Sequence, residues 1–228
     1  MRLLSSLISP SCIVCHKPWE WLCKDCQKIL KAHEDICPIC HHHSPAGKVC
    51  PSCELNHKPN FDGITIAFKN TPPIKSLIYK FKAAHQKDVG RFFADFLKRE
   101  ILRNQFLKKP YAITYVPTHW SKNLFARGFS PPQIIATHLA KKLDAPLIHI
   151  CKKVKNTPSQ MRLSKRERQL NVKNAFGLNK LQVPKGIKSI VVVDDLTTTW
   201  ATLNEVAWCI KSHLKNIQVR GLAIARSA

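Results

Sequence analysis

The first 53 residues hold eight of the chain's ten cysteines, arranged as four pairs of one spacing: Cys12/Cys15, Cys23/Cys26, Cys37/Cys40 and Cys50/Cys53. A Cys-x-x-Cys turn aims two thiolates at one tetrahedral ion, so four such turns supply the ligands of two structural zinc sites. A disulfide framework would need an oxidising compartment and an export signal, and a redox Cys-x-x-Cys pair occurs once, in a βαβ setting. Sequential sharing, first pair with second and third with fourth, closes the shorter loops and is the expected arrangement; interleaving would give a cross-braced module. Four cysteines already complete each tetrahedron, which leaves His41, His42 and His43 as a solvated cluster. A stretch this short has little core of its own, so the metal is expected to supply much of its stability.

The second constellation follows the β-branched run Ser189-Ile-Val-Val-Val193, which reads as a parallel strand buried on both faces. It ends in Asp194-Asp195-Leu-Thr197-Thr198-Thr199-Trp200-Ala-Thr202, and a helix comes next. Paired carboxylates at a strand end accept hydrogen bonds from vicinal hydroxyls, and a hydroxyl-rich loop at a helix N-terminus favours phosphate. Diol acceptors followed by a phosphate cradle describe a ribose 5-phosphate site. The plain alternative is a polar turn with an Asp or Thr helix cap.

The third is a basic stretch. Between Lys152 and Lys180 stand nine basic residues (Lys152, Lys153, Lys155, Arg162, Lys165, Arg166, Arg168, Lys173, Lys180) and one acid, Glu167. An ordinary solvated surface mixes both signs, so this excess is matched to polyanions. Single-stranded DNA is the expected partner, through Lys152, Lys153, Lys155, Arg162, Lys165, Arg166 and Arg168. No recognition helix is visible; Trp120, Phe125, Phe129 and Trp200 stand near positive charge and could stack unpaired bases, although each reads first as a core or loop-packing residue.

The elements that must position these groups divide the chain. Residues 1–60 carry seven basic and five acidic residues, against thirty and nine in residues 61–228, within a formal total of +23. Charge and cysteine count both change near the polar Asn56–Asn60 stretch, which sets a zinc-binding module at 1–58 and a second domain at 59–228. Beyond Phe61, apolar runs alternate with amphipathic stretches. Strands are predicted at Ile64–Phe68, Tyr111–Val116, Pro146–Cys151, Ser189–Val193 and Ile217–Ala225. Helices are predicted from Pro72, over Gly90–Leu107, Pro131–Asp144 and Thr202–Leu214. This order specifies an α/β domain with a mainly parallel sheet, whose ligands bind beyond the carboxyl ends of the strands. The seven glycines form no Gly-x-Gly-x-x-Gly fingerprint, which disfavours dinucleotide binding. No apolar run approaches membrane-spanning length, and the Leu3, Leu4, Leu7, Ile8 cluster is too short for a signal core, so it reads as a packing helix of a cytoplasmic protein without stable membrane insertion. Cys151 and Cys209 read as buried apolar side chains.

The Val192-Val193-Asp194-Asp195 to Thr202 loop resembles the phosphoribosyl-pyrophosphate signature of type I phosphoribosyltransferases. The whole chain resembles the ComF (ComFC) family, associated with natural competence and DNA uptake. The likeness runs through the cysteine pairs, Phe61-Asp-Gly, Tyr115-Val-Pro117 with His119, Arg127-Gly128-Phe129, Thr157-Pro-Ser-Gln160, Leu163-Ser164-Lys-Arg-Glu-Arg168 and Thr202-Leu-Asn-Glu205. The resemblance implies a type I phosphoribosyltransferase-like domain behind a double zinc-ribbon module. It implies that Asp194 and Asp195 hold the ribose hydroxyls or a divalent metal, that Thr197, Thr198, Thr199 and Thr202 hold the 5-phosphate, and that Arg127, helped by Lys122, neutralises pyrophosphate. Mg²⁺ would accompany that ligand. Other competence or DNA-processing proteins are implied partners. Two departures bear on turnover. Trp200 stands where the family loop has glycine, so its ring either obstructs the site or offers a stacking plane. Ser130 and Pro131 replace the usual Asn-Gln. A DNA-binding accessory of competence is therefore the expected function; a phosphoribosyltransferase acting on a nucleobase or similar acceptor is the alternative.

Overall fold

The computed structural model describes residues 10–82, 87–103, 107–118, 129–157, 164–179, 183–197 and 199–226. Four parallel strands form the central sheet: β1 (Gly63–Lys69), β2 (Tyr111–Tyr115), β5 (Ser189–Thr197) and β6 (Gln218–Arg226), in the order β1-β6-β5-β2. Two short antiparallel strands, β3 (Cys151–Lys153) and β4 (Phe176–Leu178), make a separate ribbon. The helices are α1 (Lys24–Gln27), α2 (Pro51–His57), α3 (Pro72–Lys82), α4 (Asp88–Arg103), α5 (Pro131–Leu143), α6 (Lys165–Val172) and α7 (Ala201–Lys211). The α/β architecture expected from the alternation of apolar runs and amphipathic stretches is the one observed.

Successive residues of a strand face opposite sides, and β5 shows it. Val191 and Val193 pack with α3, α4 and α5, while Ile190 and Val192 pack with α7 and the β3–β4 ribbon. Each face is covered by the apolar stripe of its helices, such as Ile74, Leu77, Ile78 and Phe81 of α3 on one side and Leu203, Val206, Ala207 and Ile210 of α7 on the other.

Some boundaries differ from the sequence reading. The strand expected to stop at Val193 continues to Thr197, because β6 runs beside it in register as far as Thr197 opposite Arg226. Pro146–Cys151 is not a strand: Leu147 makes one isolated parallel bridge to Ile113, and regular pairing starts at Cys151. The helix expected over Gly90–Leu107 is α4, which starts at Asp88 and runs to Arg103. The expected N-terminal packing helix lies outside the described residues, as do His119, Trp120, Lys122, Phe125, Arg127 and Arg162.

The cysteine segment clasps the edge strand β1. Ala32 bridges Phe68, with Lys69 N–H donating to the Lys31 carbonyl at 2.9 Å, and Lys48 bridges Gly63. Close approach at the second contact requires Gly47, whose φ is +63° and where a Cβ would collide with the Ile64 carbonyl oxygen. The buried guanidinium of Arg220 in β6 donates to the Ala46 carbonyl and ties the same turn to the sheet.

Candidate metal centres and ligand loop

Cys12, Cys15, Cys23 and Cys26 converge on one point, and Cys37, Cys40, Cys50 and Cys53 on another; in each set the Sγ atoms lie within 4.8 Å of one another. The first turn therefore joins the second and the third joins the fourth. All ten cysteines are free thiols. Metal–sulfur bonds of about 2.3 Å in a tetrahedron give sulfur–sulfur edges of about 3.8 Å. Cys15 and Cys23 stand 3.6 Å apart, and Cys40 and Cys50 3.7 Å. The spacing is too wide for a disulfide and suits a shared ion.

Local backbone prepares these thiolates. Burial raises the Cys12 thiol, but backbone N–H groups of Cys15, Cys23 and Val14 donate to it and outweigh that cost, bringing its pKa down to about 6. Cys37 is treated alike by burial and by the backbone of Cys40, Cys50 and Ile39, and falls to about 7. Burial and neighbouring sulfurs push Cys53 up to about 12. Four sulfurs that resist ionising together gain from a cation among them. The histidine following Cys40, His41, turns outward to the sheet, where its ring nitrogen meets Arg226.

The loop at the carboxyl end of β5 brings several of the expected residues together. Adjacent strand residues face opposite sides, and the two acids differ accordingly. Asp195 is 7% exposed and pairs with Lys82, at the end of α3, at 2.9 Å. Asp194 accepts the Asp195 backbone N–H at 2.8 Å. Burial, and then the neighbouring Asp195 carboxylate, raise Asp194 to about 7, against the pull of Lys82 and Lys153. Thr197 donates its hydroxyl to the Thr199 carbonyl at 3.3 Å. Thr198 lies outside the described residues, and Thr202 sits in the first turn of α7, which has no side-chain cap at Trp200. The first amides of such a helix have no intrahelical acceptor and suit an anion.

Trp200 takes the packing role that an aromatic in a loop most often has. Its half-buried ring packs on Phe61 at 6.2 Å and against the cluster of Cys37, Ile39 and Cys53. It joins the ligand loop to the second metal centre. The Thr199 hydroxyl and the Trp200 indole N–H are both buried without a hydrogen-bond partner among the described residues. Both residues line a cavity of about 20 Å³ against Ile36 and Pro38, enough for about one water.

The basic stretch is broken into separate elements. Lys152 and Lys153 lie on β3, and Lys153 stands near enough to Asp194 to favour its charged form. Lys155 donates to the Lys173 carbonyl at 3.1 Å. Lys165, Arg166 and Arg168 belong to α6, whose start is fixed by a capping box: Ser164 accepts from the Glu167 amide, and Glu167 accepts from the Ser164 amide. The only acid of the stretch is thus spent on a helix end. Ser164-x-x-Glu167 was a visible signal for that helix.

Two features escaped sequence reasoning. One is the Lys82–Asp195 pair. The other is a cavity of about 580 Å³ between the cysteine segment and the ends of β1 and β6. Both are made by residues far apart in the chain, and no local pattern announces them.

No family model matches the chain. Whole-chain relatives decide the matter. It is 34% identical to Competence protein F of Haemophilus influenzae over 94% of this chain and 96% of that one. The chain belongs to the ComF family. It is also 30% identical to DNA utilization protein YhgH of Salmonella typhi, over 86% of this chain and 88% of that one. Competence protein ComFC of Bacillus subtilis is 26% identical, over 92% and 86%. The similarity to the Haemophilus protein extends over nearly the whole of both chains.

Proposed function

We propose that this ComF-family protein serves competence and DNA utilization by binding single-stranded DNA, that it takes a phosphoribosyl pyrophosphate-like ligand at the Asp194–Thr202 loop, and that its two cysteine centres hold structural zinc. The relatives' names support the DNA role. The observation that carries the ligand reading is the junction of β5 and α7: a raised Asp194 carboxylate beside a helix start with no side-chain cap. Ribose hydroxyls hydrogen-bond Asp194, and the 5-phosphate lies on Thr197, Thr199, Thr202 and the α7 amides. Asp195 is already neutralised by Lys82, which leaves Asp194 as the carboxylate for any Mg²⁺ arriving with the ligand. Arg127 and Lys122 remain the expected pyrophosphate contacts. The cysteine sets fit zinc by ligand type, by count and by sulfur spacing. No helix among the described residues is long and apolar enough to cross a membrane.

DNA binding is assigned to Lys152, Lys153, Lys155, Arg162, Lys165, Arg166 and Arg168. About four to six phosphate contacts give a logarithmic salt slope of about −3 to −4 on single strands. Changing Arg162, Lys165, Arg166 and Arg168 together to Ala should weaken binding to every sequence and flatten that slope. A wild-type slope near zero would sink the DNA reading. Acceptor-dependent release of pyrophosphate from phosphoribosyl pyrophosphate would instead put transferase chemistry first.

A further inference from the structure

The cavity of about 580 Å³ is used by neither metal centre and lies outside the Asp194 loop. Lys69, Asn70 and Arg226 form its floor at the carboxyl ends of β1 and β6, and His33, Glu34, Ile36 and His41 of the cysteine segment form its wall. Register places Lys69 directly opposite Arg226. Like charges facing one another across a strand pair repel, so stability alone does not explain this placement.

The cysteine segment answers the two cations unequally. Glu34 meets the Lys69 ammonium at 2.6 Å. Among the described residues Arg226 hydrogen-bonds a partner that is not an anion, the His41 ring at Nε2, 2.5 Å away. That contact satisfies a donor and cancels no charge. Among the described residues no carboxylate lies within ion-pair distance of Arg226. Desolvation accordingly lowers its pKa, as expected of a guanidinium short of counter-charge. Two cations against one acid leave the cavity positive. Its volume lies in the range of small-molecule sites, far larger than a bare oxyanion needs. Ile36 and the imidazoles offer cover for a planar ring, and Asn70 carries both a donor and an acceptor for the edge of a base.

We infer that this cavity binds a nucleotide by its phosphate, with Arg226 and Lys69 as the anion ligands and Glu34 as the counter-charge that the phosphate displaces. A planar guanidinium suits the phosphate bidentately, and the ammonium adds a point charge. The site goes beyond the Asp194 loop and does not depend on it. Arg226 is also the register partner of Thr197, so the two sites are neighbours in the sheet. The phosphate belongs either to a free mononucleotide or to a single strand, and one experiment separates these sources.

Calorimetric titration of the full-length, metal-loaded chain with dAMP, with deoxyadenosine and with a 12-residue oligonucleotide lacking terminal phosphates is the test. Binding of dAMP at least tenfold tighter than deoxyadenosine is expected. Arg226→Gln should weaken dAMP binding about tenfold or more with both metals retained. Glu34→Gln should strengthen it several-fold, because Lys69 is released to the phosphate; a pair with only a structural role has no means of producing a gain. If Arg226→Gln does not fold, the exposed Glu34 position still decides. Displacement of dAMP by the oligonucleotide assigns the site to phosphates within a strand; retention of dAMP assigns it to free nucleotide. Equal affinity for dAMP and deoxyadenosine, or unchanged or weaker dAMP binding in folded Glu34→Gln, overturns the inference. The double variant Asp194→Asn with Asp195→Asn should lose phosphoribosyl pyrophosphate and keep dAMP, so either site can fail without the other.

Discussion

The two cysteine sets have the same spacing, the same ligand count and nearly the same sulfur separations, yet their surroundings differ. Cys12 and Cys23, with Leu22 between their turns, are buried in the same apolar layer as α3, α4 and α5. Cys37 and Cys53 form a small cluster of their own with Ile39, joined to the rest through Val49 and Trp200. A coordination unit thus carries no fixed role. The first is part of the main core; the second stands behind the ligand loop. What it does is set by the side chains packed around it.

The largest expected difference between the two is in folding. A structural zinc site is worth about 10 kcal/mol or more at neutral pH, comparable with the ~5–15 kcal/mol that stabilises an ordinary domain. Cys23→Ser should therefore release one metal and abolish the cooperative thermal transition of the whole chain. Cys50→Ser should also release one metal but leave a transition, at lower temperature, with phosphoribosyl pyrophosphate binding weakened about tenfold or more. Metal analysis beside circular dichroism melting checks both. Indistinguishable behaviour would erase the contrast.

A smaller effect should come from Trp200. Replacing it by Ala removes a half-buried ring from between the loop and the second centre, costing about 2 kcal/mol, below the range for fully buried aromatics. Both metals should remain while ligand affinity falls, and Trp200→Phe should recover most of it. Tighter binding in Trp200→Ala would show that the ring obstructs the site after all.

The last effect is electrostatic and depends on pH. Asp194 ionises near pH 7 in the folded chain and near 3.8 without its surroundings. Because the folded state holds this proton more tightly, the ionised carboxylate lowers stability increasingly as pH rises from about 4 to about 7, and by a constant amount above that. Asp194→Asn should melt higher than the parent at pH 8, with the advantage gone near pH 4. A pH-independent difference would mean that the carboxylate is not held as described.

Local chemistry was legible in the sequence and long-range chemistry was not. Cys-x-x-Cys spacing dictates a turn, so all eight ligands were visible, and the shorter loop closures already pointed to the sequential sharing observed. The run Ile190–Val193 declared a buried strand, but its continuation to Thr197 depends on β6, which lies more than twenty residues downstream. Asp194 and Asp195 stood out as a pair, yet alternation separates them and Lys82 engages only one. Trp200 was visible as a departure from the family loop. Its contact with Phe61 and the second cysteine set requires residues 139 or more positions away. Arg127, Lys122, Arg162 and Thr198 lie outside the described residues.

The clasp on β1 has a consequence for the chain's behaviour in a crowded solution. Six of the seven residues of β1 are buried, and it is the terminal strand of the sheet. Such an edge, once bare, offers unpaired amides and carbonyls to any other extended chain. Residues 31–33 and 48–49 occupy those groups at its two ends. Their own conformation depends on the cysteine turns beside them. Stripping the metal would uncover this apolar edge, and the stripped chain would be prone to self-association through it.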